Sequence, residues 1–83
     1  MYEGWHVTYT RHARRRMGER LIDAAAVERA VVAPDEVRRN RRHGGRILTK
    51  YLPEWDRVLV VSMEERPAEG VVLVKTVLWS ATS

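Results

Sequence analysis

The fold of this chain is decided by residues 57–79, which read RVLVVSMEERPAEGVVLVKTVLW. The first segment, 57–64, is apolar on both faces around Val58–Val61, which is typical of a central strand. A second apolar run follows at 71–79, and the polar residues between the two runs predict a turn. Lys75 interrupts the second run and is interpreted as a side chain that extends its ammonium to solvent. These residues predict two long neighbouring strands.

Extended segments also precede this pair. Residues 46–52 are typical of a strand, and the turn PEWD at 53–56 follows them. A basic segment, 37–42, comes before this strand and is joined to it by the turn His-Gly-Gly at 43–45. Consecutive strands connected by short turns favour a meander. The sequence therefore predicts four antiparallel strands in its second half.

The N-terminal part begins with a strand signal and continues with a helix signal. Residues 5–10, WHVTYT, alternate apolar and polar side chains and predict a short first strand. Thr10 can cap a helix that runs from Arg11 to about Arg20. The apolar stripe of this helix recurs every four residues and consists of Ala13, Met17 and Leu21.

A second helix is predicted over residues 24–33, with Asp23 as its N-cap and Pro34 as the residue that ends it. Its core-facing residues are Val27, Ala30 and Val31. The sequence thus predicts an α+β fold, with two N-terminal helices packed on one face of a four- or five-stranded antiparallel sheet. The whole chain, residues 1–83, is expected to form a single domain.

The composition excludes several classes of protein. The chain has 83 residues, of which 45% are hydrophobic and 31% charged, as is typical of one small globular domain. It contains no cysteine, so no disulfide or thiolate zinc site can form. Its three histidines lack a carboxylate-rich spacing, so neither a metal nor a cofactor is expected. No signal-peptide pattern and no apolar run of about 18 residues occurs, so we expect a cytoplasmic protein outside the membrane.

Positive charge is concentrated in two short segments. Nine of the 13 arginines lie in RHARRR at 11–16 and RRNRRHGGR at 38–46, and neither segment contains an acid. Clustered arginines attract phosphate backbones, because the guanidinium fork matches the geometry of phosphate oxygens. The alternative interpretation is a solvated basic surface that has no partner.

One candidate site lies along an edge of the first helix. His12, Arg16 and Arg20 repeat every four residues and therefore share that edge. A histidine can transfer a proton near neutral pH, and two guanidinium groups can hold a phosphate and stabilise its transition-state charge. The alternative is that His12 only caps the first helical turn and that the arginines are solvated or paired.

A second candidate site is the basic segment at 38–46. Alternation along the predicted strand sends Arg39 and Arg41 to one face, and Arg38, Asn40 and Arg42 to the other. The following turn, His43 and two glycines, offers an imidazole and backbone N–H groups that can approach a phosphate. The alternative is a charged edge strand that prevents aggregation.

A third candidate lies on the next strand, where Lys50 and Tyr51 follow the turn. Either side chain can stack on a nucleobase or donate a proton. Packing of Tyr51 against the face of the sheet is the alternative.

Residues 9–37, YTRHARRRMGERLIDAAAVERAVVAPDEV, resemble a small bacterial family with the pattern His-Ala-x-x-Arg-Met-x-x-Arg-x-Ile followed by an acid-capped helix. This family is similar to the RelE/ParE toxin superfamily, near the BrnT-type toxins. The resemblance implies two N-terminal helices on an antiparallel sheet. It also implies a ribonuclease toxin that is silenced by an acidic antitoxin protein.

Carried over to this sequence, the resemblance implies that His12 is the general base and that Arg16, Arg20 and Arg46 clamp the phosphate. His43 or Tyr51 would be the acid that protonates the leaving 5′-oxygen, without a metal ion. The further RNA-binding residues are Arg14, Arg15, Arg39, Arg41, Arg42 and Lys50. A monomer or small oligomer is expected. The alternative function is a non-catalytic one, either a protein-binding toxin similar to ParE or a basic nucleic-acid-binding module.

Overall fold

A computed structural model describes residues 1–80, so the last three residues of the predicted domain, 81–83, lie outside the described part of the chain. All the predicted helices and strands are present. Their order is β1 (His6–Tyr9), α1 (Arg11–Arg20), α2 (Ala24–Val32), β2 (Glu36–Arg39), β3 (Arg46–Leu52), β4 (Arg57–Arg66) and β5 (Val71–Ser80). None of the helices within residues 1–80 has the length and apolar character needed to cross a membrane.

The basic strand is shorter than predicted. β2 ends at Arg39, because the Asn40 N–H donates to the Gly45 carbonyl oxygen at 2.9 Å and closes a loop there. Gly44 and Gly45 both adopt positive φ angles, of 73° and 76°, which glycine tolerates and which turn the chain back into β3. Arg41 and Arg42 therefore lie in the β2–β3 loop, and the predicted alternation of faces does not apply to them.

The five strands form one sheet in the order β1-β5-β4-β3-β2. The predicted antiparallel meander from β2 to β5 is confirmed. The prediction of a purely antiparallel sheet is wrong, because β1 pairs with β5 in parallel, with His6 opposite Val71 and Tyr9 opposite Val74. β1 is connected to the meander by two helices rather than by a tight turn, and such a long connection permits a parallel neighbour.

Both helices begin at the predicted caps. The Thr10 Oγ1 accepts a hydrogen bond from the Ala13 N–H at 3.0 Å, and Asp23 Oδ1 accepts one from the Ala26 N–H at 2.8 Å. Each cap satisfies a backbone donor that the first helical turn leaves without a partner.

The predicted apolar stripe of α1 is only partly correct. Ala13 is buried and Met17 packs against the core, but Leu21 is 86% exposed. The helix ends at Arg20, and Leu21 adopts the left-handed conformation with φ 54°, which turns its side chain away from the sheet. Ile22 is buried in its place.

The core lies between the helices and one face of the sheet. The fully buried sheet residues alternate along three strands, and they are Leu48, Leu52, Leu59, Val61, Met63, Val72, Val74 and Val77. The predicted helical core residues Val27, Ala30 and Val31 pack on them. The other face of the sheet, which carries Val58 and Val60, has no helix of the described chain over it and is half-buried. We call it the open face.

Replacement of Val61 by Asp is expected to prevent folding. Val61 is completely buried, so the new carboxylate would be an unpaired charge that costs about 3–5 kcal/mol. This cost is comparable to the total stability of a small domain. Val60→Asp places the same charge on the half-buried open face and should cost only about 1 kcal/mol. Thermal melting of both variants tests this, and equal melting of the two would contradict the assignment of faces.

Candidate functional site

The start of α1 forms a small basic hollow. Arg11, His12 and Arg15 line a cavity of about 220 Å³, and all three are exposed. Thr10 provides the helix cap, so His12 does not cap the first turn. Within residues 1–80, the His12 side chain makes no hydrogen bond or ion pair, so both of its ring nitrogens are accessible to a ligand.

The other two residues of the predicted helical edge have partners. Arg16 forms an exposed ion pair with Glu19 at 2.8 Å. The Arg20 guanidinium donates to the Val77 carbonyl oxygen at 2.6 Å, and the Arg20 carbonyl accepts from the Trp79 indole N–H at 3.0 Å. Arg20 therefore connects α1 to β5, and its prediction as part of the phosphate clamp is not supported by this geometry.

The position of Arg20 follows from the short length of β1. β1 pairs with β5 only as far as Val74, so the outer edge of β5 has no neighbouring strand beyond that point. Side chains satisfy its carbonyl groups instead: the Thr10 Oγ1 donates to the Lys75 carbonyl oxygen at 3.1 Å, and Arg20 donates to that of Val77. An unpaired strand edge needs such partners or a cover.

β5 contains a bulge at Lys75. Ser62 pairs with Thr76 and Met63 pairs with Val74, which leaves Lys75 as the extra residue between them. Such a residue is free of the ladder, and its side chain can be directed to a new position.

Lys75 binds the β2–β3 loop. Its Nζ donates to the carbonyl oxygens of His43 and Gly44, both at 3.2 Å, so the side chain does not simply extend to solvent as predicted. The loop is held at a second point by the buried Asn40, whose Oδ1 accepts from the His43 N–H at 3.2 Å and whose Nδ2 donates to Ser62 Oγ at 3.4 Å. The loop is therefore a defined structure rather than a freely solvated turn.

These contacts bring the two arginine-rich segments to the same residue. α1 begins beside the Lys75 carbonyl, through Thr10, and the loop lies on the Lys75 ammonium. The exposed basic side chains of the helix start and the loop, the two segments that contact Lys75, belong to Arg11, His12, Arg15, Arg41, Arg42 and His43. We call them, with Lys75, the Lys75 surface. Arg14 is exposed in the same first turns of α1.

Arg39 and Arg46 lie on the other side of the sheet from Arg38. The register pairs Arg39 with Arg46 and Val37 with Leu48, so both arginines share the face on which the helices pack. Arg46 forms an ion pair with Glu65. Arg46 is therefore not part of the Lys75 surface, contrary to its predicted place in one clamp with His12.

Tyr51 and Lys50 lie near the opposite end of β3. Tyr51 is five residues beyond Arg46, which corresponds to about 17 Å along the strand. Its hydroxyl donates to Asp56 Oδ1 at 2.7 Å, and this hydrogen bond raises the pKa of Tyr51. Lys50 Nζ lies 3.6 Å from Asp35 Oδ1. Neither residue reaches the Lys75 surface, so the predicted acid Tyr51 is separated from the predicted base.

The sequence analysis did not assign Lys75 a function. The available signal was a single lysine inside an otherwise apolar strand, VVLVKTVLW. Its contact with a loop more than 30 residues away depends on a bulge that no local pattern indicates. Among residues 1–80, no group of three His, Asp or Glu residues is arranged to hold a metal ion.

Substitution of Gly45 should destabilise the protein more than substitution of Gly44. Both glycines have positive φ angles, so Ala at either position costs about 1 kcal/mol. A Cβ on Gly45 would also lie 2.2 Å from the Met63 carbonyl oxygen, whereas a Cβ on Gly44 meets nothing within 4 Å. Urea denaturation should give a loss of about 2 kcal/mol or more for Gly45→Ala. Equal losses of stability in the two variants would contradict the close approach of Gly45 to the Met63 carbonyl oxygen.

Tyr2 should make stability fall in alkaline solution. Its burial and the hydrogen bond from its hydroxyl to Glu65, at 2.6 Å, raise the pKa of Tyr2 to about 12. Because folding favours the neutral phenol, this contribution is fully present below about pH 10 and is lost as the pH rises toward 12. It amounts to about 2–3 kcal/mol. In Tyr2→Phe, urea denaturation should show that the free energy of unfolding declines less steeply between pH 9 and 12 than in the wild-type protein. Identical pH profiles of the two proteins would refute the contribution of Tyr2.

The comparison with known proteins identifies a family. Residues 9–79 match the model of a family described as a domain of unknown function, DUF4258. No curated protein and no solved structure matches the chain significantly. The match runs from the end of β1 through nearly all of β5 and includes the whole Lys75 surface. The chain belongs to the DUF4258 family.

Proposed function

We propose that this protein is a toxin-type endoribonuclease that needs no metal ion and that binds RNA on the Lys75 surface. The observation that carries the proposal is the position of the two arginine-rich segments, which are far apart in sequence but both adjoin Lys75. Each of them presents an exposed histidine there, His12 and His43. Two histidines among arginines are suited to acid–base chemistry on a phosphodiester.

In the proposed reaction, neutral His12 accepts the proton of an RNA 2′-hydroxyl. The 2′-oxygen attacks the adjacent phosphorus, and the bond from phosphorus to the 5′-oxygen breaks. The protonated imidazole of His43 gives its proton to that 5′-oxygen. The products are a 2′,3′-cyclic phosphate and a 5′-hydroxyl, so atoms and protons balance without a co-reactant.

The phosphate clamp differs from the one that the sequence predicts. Arg11 and Arg15 share the hollow with His12. Arg16 lies one helical turn after His12, and its exposed pair with Glu19 is weak enough to be exchanged for a phosphate. Arg20 is held by the Val77 carbonyl oxygen, and Arg46 lies beside Glu65 and not in the hollow of His12, so both are left out of this clamp.

The proposal includes an acidic antitoxin as the second partner. A protein that covers the Lys75 surface with carboxylates would neutralise the arginines that hold RNA. RNA and antitoxin would then compete for one site in the cytoplasm, and the complex would be inactive.

A non-catalytic nucleic-acid-binding module is the second candidate. The separation of Arg20, Arg46 and Tyr51 from His12 favours this function. Without these residues, the proposed base lacks two members of the predicted phosphate clamp and one of the two predicted acids. In this case the arginines bind phosphates and His12 has no chemical role.

Replacement of His12 by Ala should separate binding from cleavage. Because a general base acts on the proton of the 2′-hydroxyl and not on the charge of the phosphate, we expect the affinity for single-stranded RNA to change less than about twofold, while the cleavage rate falls about 100-fold or more. EDTA should have no effect on the cleavage rate of the wild-type protein. Product analysis measures the cleavage rate, and fluorescence anisotropy measures the affinity for RNA.

His6→Ala is the matched control, because His6 is also exposed but lies on β1, outside the Lys75 surface. It should cleave at the wild-type rate. Arg15→Ala should weaken RNA binding and reduce the salt slope of log K by about one. If the wild-type protein binds RNA but does not cut it, with or without ribosomes, the binding module is the correct function.

A further inference from the structure

Two arginines lie side by side at the end of the β2–β3 hairpin. Arg39 and Arg46 are directly opposite each other in the register, which puts their Cβ atoms about 5 Å apart. Like charges in this position destabilise a sheet, and no structural need for the pair is evident. Such an arrangement indicates a ligand whose charge offsets the repulsion.

The neighbouring carboxylates neutralise only part of this charge. Glu65 pairs with Arg46 and also accepts the Tyr2 hydroxyl, and Glu64 pairs with Arg66 at 3.1 Å. The Arg39 side chain has no hydrogen bond or ion pair with any residue of 1–80. The two arginines carry two positive charges and Glu65 carries one negative charge, so one positive charge remains uncompensated. A ligand with a single negative charge would neutralise it.

The space between the arginines fits a small anion. Arg39, Gly45, Arg46, Glu64 and Glu65 line a hollow of about 310 Å³. One wall is backbone, because Gly45 packs so closely on the Met63 carbonyl that no side chain can occupy its position. Two guanidinium forks at the rim can each donate two hydrogen bonds to a pair of oxygens.

We propose that this hollow, the Arg39–Arg46 hollow, is a subsite for one phosphodiester group of a single-stranded RNA. A phosphodiester carries one negative charge and two equivalent oxygens, which matches the missing charge and the two forks. The hollow adjoins the β2–β3 loop of the Lys75 surface, since Arg39 is the last residue of β2 before the loop and Gly45 ends the loop. An RNA strand bound along the loop therefore places a second phosphate here. This subsite rests on the proposed RNA-binding function.

The first test uses diethyl phosphate, a phosphodiester without a base or a sugar. In ¹⁵N-labelled protein, it should shift the arginine Nε–H signals of Arg39 and Arg46. The shifts should disappear in Arg39→Gln and persist in Arg38→Gln, which removes the same charge from the same strand but on the open face. If diethyl phosphate shifts neither signal, or if only acetate does, the subsite is wrong, and in the latter case the hollow binds carboxylates of an acidic protein.

The second test uses a short single-stranded RNA oligonucleotide. Arg39→Gln should weaken its binding about tenfold and reduce the salt slope by about one, whereas Arg38→Gln should change the affinity less than about twofold. Because both side chains are exposed, neither variant should lose stability, and Arg39→Gln should melt at a slightly higher temperature because it removes the repulsion from Arg46. Equal effects of the two substitutions on RNA binding would overturn the subsite.

Removal of the internal counter-charge should strengthen binding. Glu65→Gln keeps an acceptor for the Tyr2 hydroxyl but leaves both arginines without a negative partner, so RNA affinity should rise about fivefold. Glu54→Gln is the control, because it changes the net charge equally at the turn between β3 and β4, at the other end of β3. An equal rise in RNA affinity in both variants would show that only the net charge of the protein matters, and it would overturn the subsite.

The two proposals can fail separately. If the wild-type protein binds RNA but Arg39→Gln has no effect, the subsite is wrong and the proposed function stands. If diethyl phosphate shifts Arg39 and Arg46 but the wild-type protein binds no RNA, the anion chemistry of the hollow is supported and the proposed function is wrong.

Discussion

The bulge at Lys75 is the feature on which the rest of the structure depends. The extra residue reverses the alternation of side chains along β5, so that Val74 and Val77 both face the helices although three positions separate them. Without the bulge, Thr76 and Leu78 would enter the core and Val77 would face the open side. The same residue accepts the Thr10 hydroxyl through its carbonyl and holds the β2–β3 loop through its ammonium. One irregularity in the sheet therefore positions both α1 and the loop.

Backbone hydrogen bonding explains why the four-residue spacing of His12, Arg16 and Arg20 does not bring all three side chains into one site. Spacing alone puts Arg20 on the same edge as His12 and Arg16. The short β1 leaves carbonyl groups of β5 without partners, and a guanidinium at the end of α1 is within reach of one of them. Because an unsatisfied backbone acceptor in this partly buried position is costly, Arg20 is held by the sheet rather than by solvent.

The arginines divide into two groups because of the geometry of β2. Successive residues of a strand face opposite sides, so Arg38 and Arg39 belong to different surfaces although they are adjacent in sequence. Beyond Arg39 the chain leaves the strand, and Arg41 and Arg42 lie in the loop whose Gly44 carbonyl oxygen accepts from Lys75 Nζ. Exposed ion pairs such as Arg16 with Glu19 contribute little to stability and can be exchanged, which is why paired surface arginines are compatible with phosphate binding.

The sequence by itself determined the order and approximate limits of the helices and strands and the two helix caps, because these depend on residues within a few positions of one another. It also located the arginine-rich segments and the two histidines. Only the tertiary structure decided that β1 joins β5 in parallel, that Arg20 binds Val77 and that Lys75 binds the loop of His43. It likewise separated Tyr51 from His43 and placed Arg39 beside Arg46. The physical reason is that these contacts join residues up to 65 positions apart, such as Thr10 and Lys75. They depend on how the strands pair and on which backbone groups at the sheet edge need a partner, and no local sequence pattern indicates either.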